Sequence, residues 1–345
     1  MLTFAAAVVV FGLLIFIHEL GHFTLAKLEG IEVREFAIGF GPKFAAIRGG
    51  ETLYSFRILP LGGFVLMAGT EPDDLDNPRG FATKSLLART RVIAAGPLMN
   101  FILAAVLFAA IFAFYGVAVP KPDSAVIGEV FPGFPAAEAG LQAGDRVLRV
   151  AGEAVNDWHD LVAIVEQNPG TEIPVEIKRD GQIMTVLVTP ADNPQKEGRG
   201  FIGVGPTVDI QKIGPLASLV EGIRQTGRIM FLLVQSLGMV ITGRGAAELA
   251  GPVGITGMIG QAAKTGLVNL TRLAAILSAN LGLINLLPIP PVDGSRLVFL
   301  GIEAVRGRPV DPERENLIHF IGFAVLIALV VFVTYQDIVR LSPGM

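Results

Sequence analysis

The 345-residue chain contains no cysteine. Disulfides and thiolate ligands are therefore excluded, and a metal site has to be assembled from His, Asp and Glu. Charge is also scarce, at 17% of residues, and it has no basic surplus: the net charge is -4 and the pI about 5.7. Such a surface is not one evolved to hold a phosphate backbone, so no nucleic acid partner is expected. Internal repeats and low-complexity tracts are missing too. What fills the chain instead is apolar side chain, 52% of residues, more than one soluble core of this length requires. A membrane protein is the class to expect.

Four stretches are long and apolar enough to consider as membrane helices. The first has no charge from Met1 to Ile17 and resumes after a HELGH interruption through Phe23, Leu25 and Ala26. It lacks the basic start and small-residue cleavage site of a signal peptide, so it is expected to be retained. The second lies between Arg91 and Lys121, where no charge occurs, and the fourth runs from Leu317 to Tyr335 with His319 near its start. The third, Leu273 to Leu287, runs into Pro288, Pro290 and Pro291 and must break there. Broken backbone at membrane depth is tolerated only where it is buried in protein or lines a cavity, which makes the break a site candidate. Arginine and lysine crowd the loop between Lys27 and Arg91, and Arg306, Arg308 and Arg314 precede the fourth span. Both loops are therefore expected on the cytoplasmic side, with the termini and the long insert between spans two and three outside.

Between the first two spans, Thr52 to Gly69 reads as two β segments around Gly62 and Gly63: either a hairpin dipping toward the membrane or a plain surface hairpin. The insert, about residues 122–192, shifts to the composition of a small soluble domain. Its strand signals are VIGEV, DRVLRVAG, EIPVEIKR and IMTVLVTP, with Asp180-Gly181 as a hairpin turn and WHDLVAIVEQN as one amphipathic helix. Residues 193–266 read as a glycine-rich linker followed by an interfacial helix beyond Arg228. The flanking segments, 1–121 and 267–345, are then the two membrane halves.

His18 and His22 stand four apart, which stacks both rings on one helix face where they can share a zinc ion, and Glu19 beside them can take a proton from the attacking water. Ionisable groups inside an apolar span are expensive unless functional or paired. Two histidines leave a catalytic zinc one protein ligand short. His159 falls in the soluble insert, and His319 suits an interfacial or packing role. Asp293, in NLLPIPPVDGS after the broken span, is the carboxylate that stands out, although Asp before Gly is also an ordinary turn pair.

Taken together, HELGH in the first span, GPLMN in the second, AGPVGI at Ala250 to Ile255 and NLLPIPPVDGS resemble the site-2 protease family of intramembrane zinc metalloproteases. The likeness is greatest to its RseP-type branch, with AGLQAGDRVLRVAGEAV similar to a PDZ stretch and room for one such domain where RseP has two. The resemblance implies a mainly α-helical membrane protein with four transmembrane helices, a membrane-associated β-hairpin and an inserted α+β PDZ domain. It implies Zn2+ held by His18, His22 and Asp293, Glu19 as general base and acid, and Asn285 contacting substrate near the scissile bond or the developing oxyanion. Gly62, Gly63, Phe64 and Val65 would offer a strand edge to the unwound substrate. The implied partners are transmembrane protein substrates, such as anti-sigma factors or remnant signal peptides, together with membrane lipid; the PDZ-like insert either binds a peptide ligand, with the Val126–Val130 strand as the expected edge, or acts as a steric filter that excludes substrates with large outer domains. The implied location is the plasma (cell inner) membrane, multi-pass, with the PDZ domain outside and the active site toward the cytoplasm. Two other readings compete: a membrane-anchored HExxH peptidase acting outside the bilayer, and a non-catalytic scaffold displaying a PDZ domain.

Overall fold

The computed structural model describes residues 1–70, 73–193, 196–243 and 250–341. The chain forms two compact units, one of Met1–Ala113 with Gly214–Met345 and one of Phe114–Ile213. Helix α1 (Leu2–Leu28) opens the first unit. It buries one stripe, Val10, Leu14, His18, Gly21 and His22, at the i, i+3 and i+4 spacing that shares a helix face. Strands β1 (Val33–Gly49) and β2 (Thr52–Met67) follow and fold back on each other, so that Phe36 is flanked by both Val65 and Tyr54. The two expected β segments around Gly62 and Gly63 are thus one long bent strand. Its partner β1 was not expected, because Gly39 and Gly41 at positive φ and Pro42 interrupt the strand pattern. Helix α2 (Leu86–Tyr115) carries Pro97 within it.

The second unit contains β3 (Val117–Pro120), β4 (Ile127–Val130), α3 (Pro135–Glu138), β5 (Arg146–Val150), β6 (Glu153–Ala154) and α4 (Trp158–Glu166). After them come β7 (Ile173–Arg179), β8 (Gln182–Val188), β9 (Ala191–Asn193), β10 (Lys196–Phe201), β11 (Val204–Pro206) and β12 (Val208–Gln211). A four-stranded sheet, β6-β5-β7-β8, packs with α4 around Ile127, Val147, Leu161, Val175 and Ile177. Asp180 and Gly181 both have positive φ, as a two-residue hairpin turn requires. Two expectations need correction. The stretch from Gly198 to Gly214 is not a linker, because β10, β11 and β12 lie in it and the unit extends to Ile213. The Val126–Val130 strand offers no free edge. β11 pairs with β4 on one side, and on the other Ile127 N–H donates to Asp145 O and Gly144 N–H to Ile127 O.

The first unit resumes with α5 (Pro215–Ile241), α6 (Pro252–Thr265), α7 (Leu267–Leu286), α8 (Asp293–Arg306) and α9 (Pro312–Leu341). Residues 194–195 and 244–249 of the expected linker region lie outside the described residues. Four helices, α1, α2, α7 and residues Glu313–Arg340 of α9, are long and apolar enough to cross a membrane. AGPVGI acquires a structural meaning here. The buried Asp337 of α9 accepts from Gly251 N–H at 3.2 Å and Gly254 N–H at 2.8 Å, capping α6 with a side chain from another helix. Glycine suits both positions, since a Cβ on Gly251 would lie 2.6 Å and one on Gly254 3.1 Å from an Asp337 carboxylate oxygen.

Candidate metal centre

The site lies where α1, α2 and the start of α8 meet. α1 and α2 approach closely at Gly21, where a Cβ would lie 2.4 Å from Ala95 O, so only glycine permits the crossing. Gly96 leaves room from the opposite helix, since a Cβ there would lie 2.3 Å from His22 Nε2. The two imidazoles occupy the space that this missing side chain leaves.

α7 ends at Leu286, the backbone turns through the prolines, with Val292 N–H donating to Ile289 O at 3.1 Å, and α8 begins at Asp293. Sequence left this aspartate open as a turn residue; in the structure it sits in the first turn of a helix, where a carboxylate also suits the helix dipole. Gly294 follows because a Cβ there would lie 2.1 Å from Leu287 O, so α8 can fold back onto the end of α7 only with glycine. The fold-back carries Asp293 Oδ2 to 3.1 Å from His18 Nε2 and 3.2 Å from His22 Nε2, with the two nitrogens 3.2 Å from each other. Three ligand-type atoms thus form a nearly equilateral triangle among buried or half-buried groups.

The far ring nitrogens decide which lone pairs face inward. His22 Nδ1–H donates to Val92 O at 2.8 Å, which leaves Nε2 unprotonated. Asn100, fully buried on α2, sets its amide Nδ2 3.1 Å from His18 Nδ1, while its Oδ1 has no partner. A half-turn of that amide exchanges Nδ2 and Oδ1, so that Oδ1 accepts from His18 Nδ1–H and Nε2 is freed in the same sense. Asp293 Oδ2 is likewise buried without a hydrogen bond.

Three ligand-type atoms that converge in this way can hold one cation. Zinc fits this set: tetrahedral bonds of about 2.0–2.2 Å to nitrogen and oxygen place ligand atoms about 3.3 Å apart. Two histidines and one carboxylate also form a recognised catalytic donor set, leaving a fourth position open.

Glu19 lies beside this triangle but is not part of it, half-buried, with β2 passing over it: a Cβ on Gly63 would sit 3.0 Å from Glu19 Cγ. Gly62 has a φ of +98°, Phe64 stacks on Phe40 with its ring under the Arg57 guanidinium, and Val65 pairs with Phe36. Asn285 stands in the last turn of α7, half-buried, with no side-chain hydrogen bond to a described residue. His159 is exposed on α4, and His319 lies on α9 beside Phe299. Gly96 and Asn100, both within GPLMN, are functional positions that were not assigned from the sequence. The legible signal was Asn100 itself, the one amide in an uncharged run from Val92 to Pro120.

A family model described as peptidase family M50 matches residues 6–329. Curated relatives align along nearly all of both chains. They include the zinc metalloprotease RasP of Geobacillus kaustophilus, 38% identical over 96% of this chain and 96% of the relative. The regulator of sigma-W protease RasP of Bacillus subtilis is 36% identical over 98% and 99%. Among solved structures, the PDZ domain of an SdrC-like protein from Listeria monocytogenes is 21% identical, covers 26% of this chain and 93% of its own, and scores a TM of 0.22. That likeness is too weak to bear on the fold.

Proposed function

The chain belongs to peptidase family M50 and is a zinc metalloprotease, and from that premise we propose that it cuts membrane-spanning segments of other proteins within the bilayer. The observation that carries this reading is the convergence of His18, His22 and Asp293 beside four helices of membrane-crossing length. His18, His22 and Asp293 hold the metal. Bound there, zinc would supply polarisation of the scissile carbonyl and a lowered pKa for the attacking water. Glu19 takes the proton from that water and passes it to the leaving amine, so no acyl-enzyme is needed. The Asn285 amide serves the substrate backbone near the scissile bond. A membrane-spanning substrate must unwind before it can be cut, and the Gly62–Val65 edge satisfies its freed backbone groups.

The basic loops support an inner-membrane protein with the metal toward the cytoplasm and the 122–192 insert, read as a PDZ domain, on the outer side. One relative's name refers to sigma-W regulation, which supports anti-sigma factors as substrates, with remnant signal peptides as a second class. For the insert, a concavity of about 150 Å³ between α4 and Gly200–Val204, lined by Trp158, Leu161, Val165 and Phe201, supports binding of an apolar peptide end.

Glu19→Gln in the full-length protein is the deciding experiment. It should retain zinc at wild-type stoichiometry while cleavage of a single-span substrate falls below detection. Continued cleavage by that variant refutes the proposal, and an unchanged cellular phenotype favours the scaffold reading instead.

A further inference from the structure

The first unit holds a second concavity that the chemistry above does not use. A cavity of about 470 Å³ opens between Gly69, Thr70, Leu75, Phe81 and Ala82 on one side and α2, α8 and the start of α9 on the other, within the ordinary size range of ligand sites. Phe81, Phe299 and Leu300 form its apolar wall. The Arg89 guanidinium and the Glu303 carboxylate in its lining neutralise each other through two hydrogen bonds, one of them 3.0 Å from Arg89 Nη1. Arg296 is exposed and has no ion pair among the described residues. His319 Nε2 is buried without a hydrogen bond, with Glu315 3.6 Å away and Phe299 edge-on to the ring. The lining thus holds two arginines and two glutamates: Arg89 and Glu303 are paired, Arg296 stands unpaired on α8, and Glu315 lies beside the unsatisfied His319 nitrogen on α9.

Two paths lead from the metal centre to this cavity. α8 begins with Asp293, and its cavity-lining residues Arg296 to Glu303 follow about 5–15 Å along the helix axis. β2 passes Glu19 at Gly63, and Gly69 and Thr70, just beyond its end, line the cavity. From Gly63 to Leu66 that strand has β1 on one side and no strand among the described residues on the other. The strand ends at Met67, two residues before the cavity lining begins at Gly69. A chain laid along the free edge therefore runs out of strand next to the cavity.

We propose that this cavity is a subsite for the cytoplasmic flank of the substrate, and that it takes an acidic side chain, paired with Arg296, about two to six extended residues from the scissile bond. His319 completes the site by hydrogen bonding to the adjacent backbone, while Glu315 beside it keeps the acidic side chain toward Arg296. The inference rests on the intramembrane reading and the orientation proposed above. An anionic lipid headgroup would satisfy the same arginine, but the continuity with the strand edge favours a polypeptide.

The test uses full-length enzyme in neutral detergent without anionic lipid, and single-span substrates in which one glutamate is walked along the cytoplasmic flank. Wild type should favour glutamate within that window, and Arg296→Glu should lower kcat/KM there on the order of tenfold, mainly through KM. Moving lysine into the same position of the substrate should restore most of the loss. Arg296→Gln should abolish the preference without reversing it, which guards against a folding defect in the charge reversal. Because the chain has no cysteine, Asn316→Cys in the Glu19→Gln background should form a disulfide only with substrate cysteines in the same window. Cleavage by wild type with no flank preference, or disulfides spread evenly along the flank, overturns the subsite and leaves the protease reading intact. A preference that emerges only when anionic lipid is added overturns it in favour of a headgroup site. Failure of the protease reading has a different signature, namely cleavage that survives Glu19→Gln.

Discussion

His18 and His22 differ from two histidines merely sharing a helix face in what their outer nitrogens touch. Val92 O holds one ring and the Asn100 amide the other, and both contacts come from α2, more than 60 residues away in sequence. Such outer contacts typically contribute ten- to hundredfold in metal affinity. Asn100→Ala should accordingly weaken zinc binding by about ten- to hundredfold, measured by competition with a chromogenic chelator. Asn100→Asp, which keeps an acceptor at the same place, should recover most of that affinity, and equal affinities for the two variants would remove Asn100 from the site. The difference between the histidines and Asn100 also explains what could be read early. HELGH is local: a spacing of four on a helix is enough to bring two rings together. Asp293 was conspicuous only because prolines break the helix before it, and Asn100 gave no more than the hint of an amide in apolar surroundings, because its partner is fixed by a helix crossing.

Elements with a clean period were legible, and those built on glycine or proline were not. Strands β4, β5, β7 and β8 and helix α4 fall where alternation and amphipathicity put them. β10 to β12 were hidden by glycines that read as linker, β1 was hidden within a basic loop interrupted by Gly39, Gly41 and Pro42, and α8 was hidden because a proline run and Asp-Gly read as a turn. Within the insert, the two terminal residues of well-read stretches make one specific tie: Arg179 Nε and Nη2 each lie 2.7 Å from an Asp145 oxygen. Burial alone would raise Asp145, but the hydrogen bonds from Arg179 and from Gln142 N–H, with the arginine charge, lower it. A carboxyl whose folded pKa is depressed contributes stability that is complete above its unfolded value, near 3.8, and is lost as pH falls through the folded value. Trp158, the single tryptophan, packs against the insert's core and reports on this unit. Its fluorescence should therefore show the insert losing thermal stability as pH falls below about 4. Asp145→Asn should be less stable at neutral pH and should lose most of that pH dependence; an unaltered acid profile in the variant would mean that another carboxylate is responsible.

For the whole molecule, the metal centre constrains how often the chain crosses the bilayer. His18 and His22 lie toward the end of α1, and Asp293 lies seven residues beyond the end of α7. For them to meet at one depth, α1 and α7 must run through the membrane in the same direction, which requires an even number of crossings from α1 to just before α7. α1 and α2 already provide two, so α5 and α6 cannot contribute a single further crossing. α5 is long enough to raise the question, at 27 residues. It is not among the helices apolar enough to cross, and it carries Glu221, Arg224 and Arg228 within two turns while exposing Leu216, Ile223 and Phe231, the pattern of a helix lying in the interface. The parity of crossings can be tested directly because the chain supplies a cysteine-free background. Asp76→Cys and Arg308→Cys, both at exposed positions, should resist a membrane-impermeant maleimide on intact cells and react once the membrane is opened. Glu172→Cys in the insert should react from outside in both cases. Labelling of the Arg308→Cys variant from outside would give α5 or α6 an odd crossing, and no arrangement of four or five spans could then bring Asp293 to the histidines.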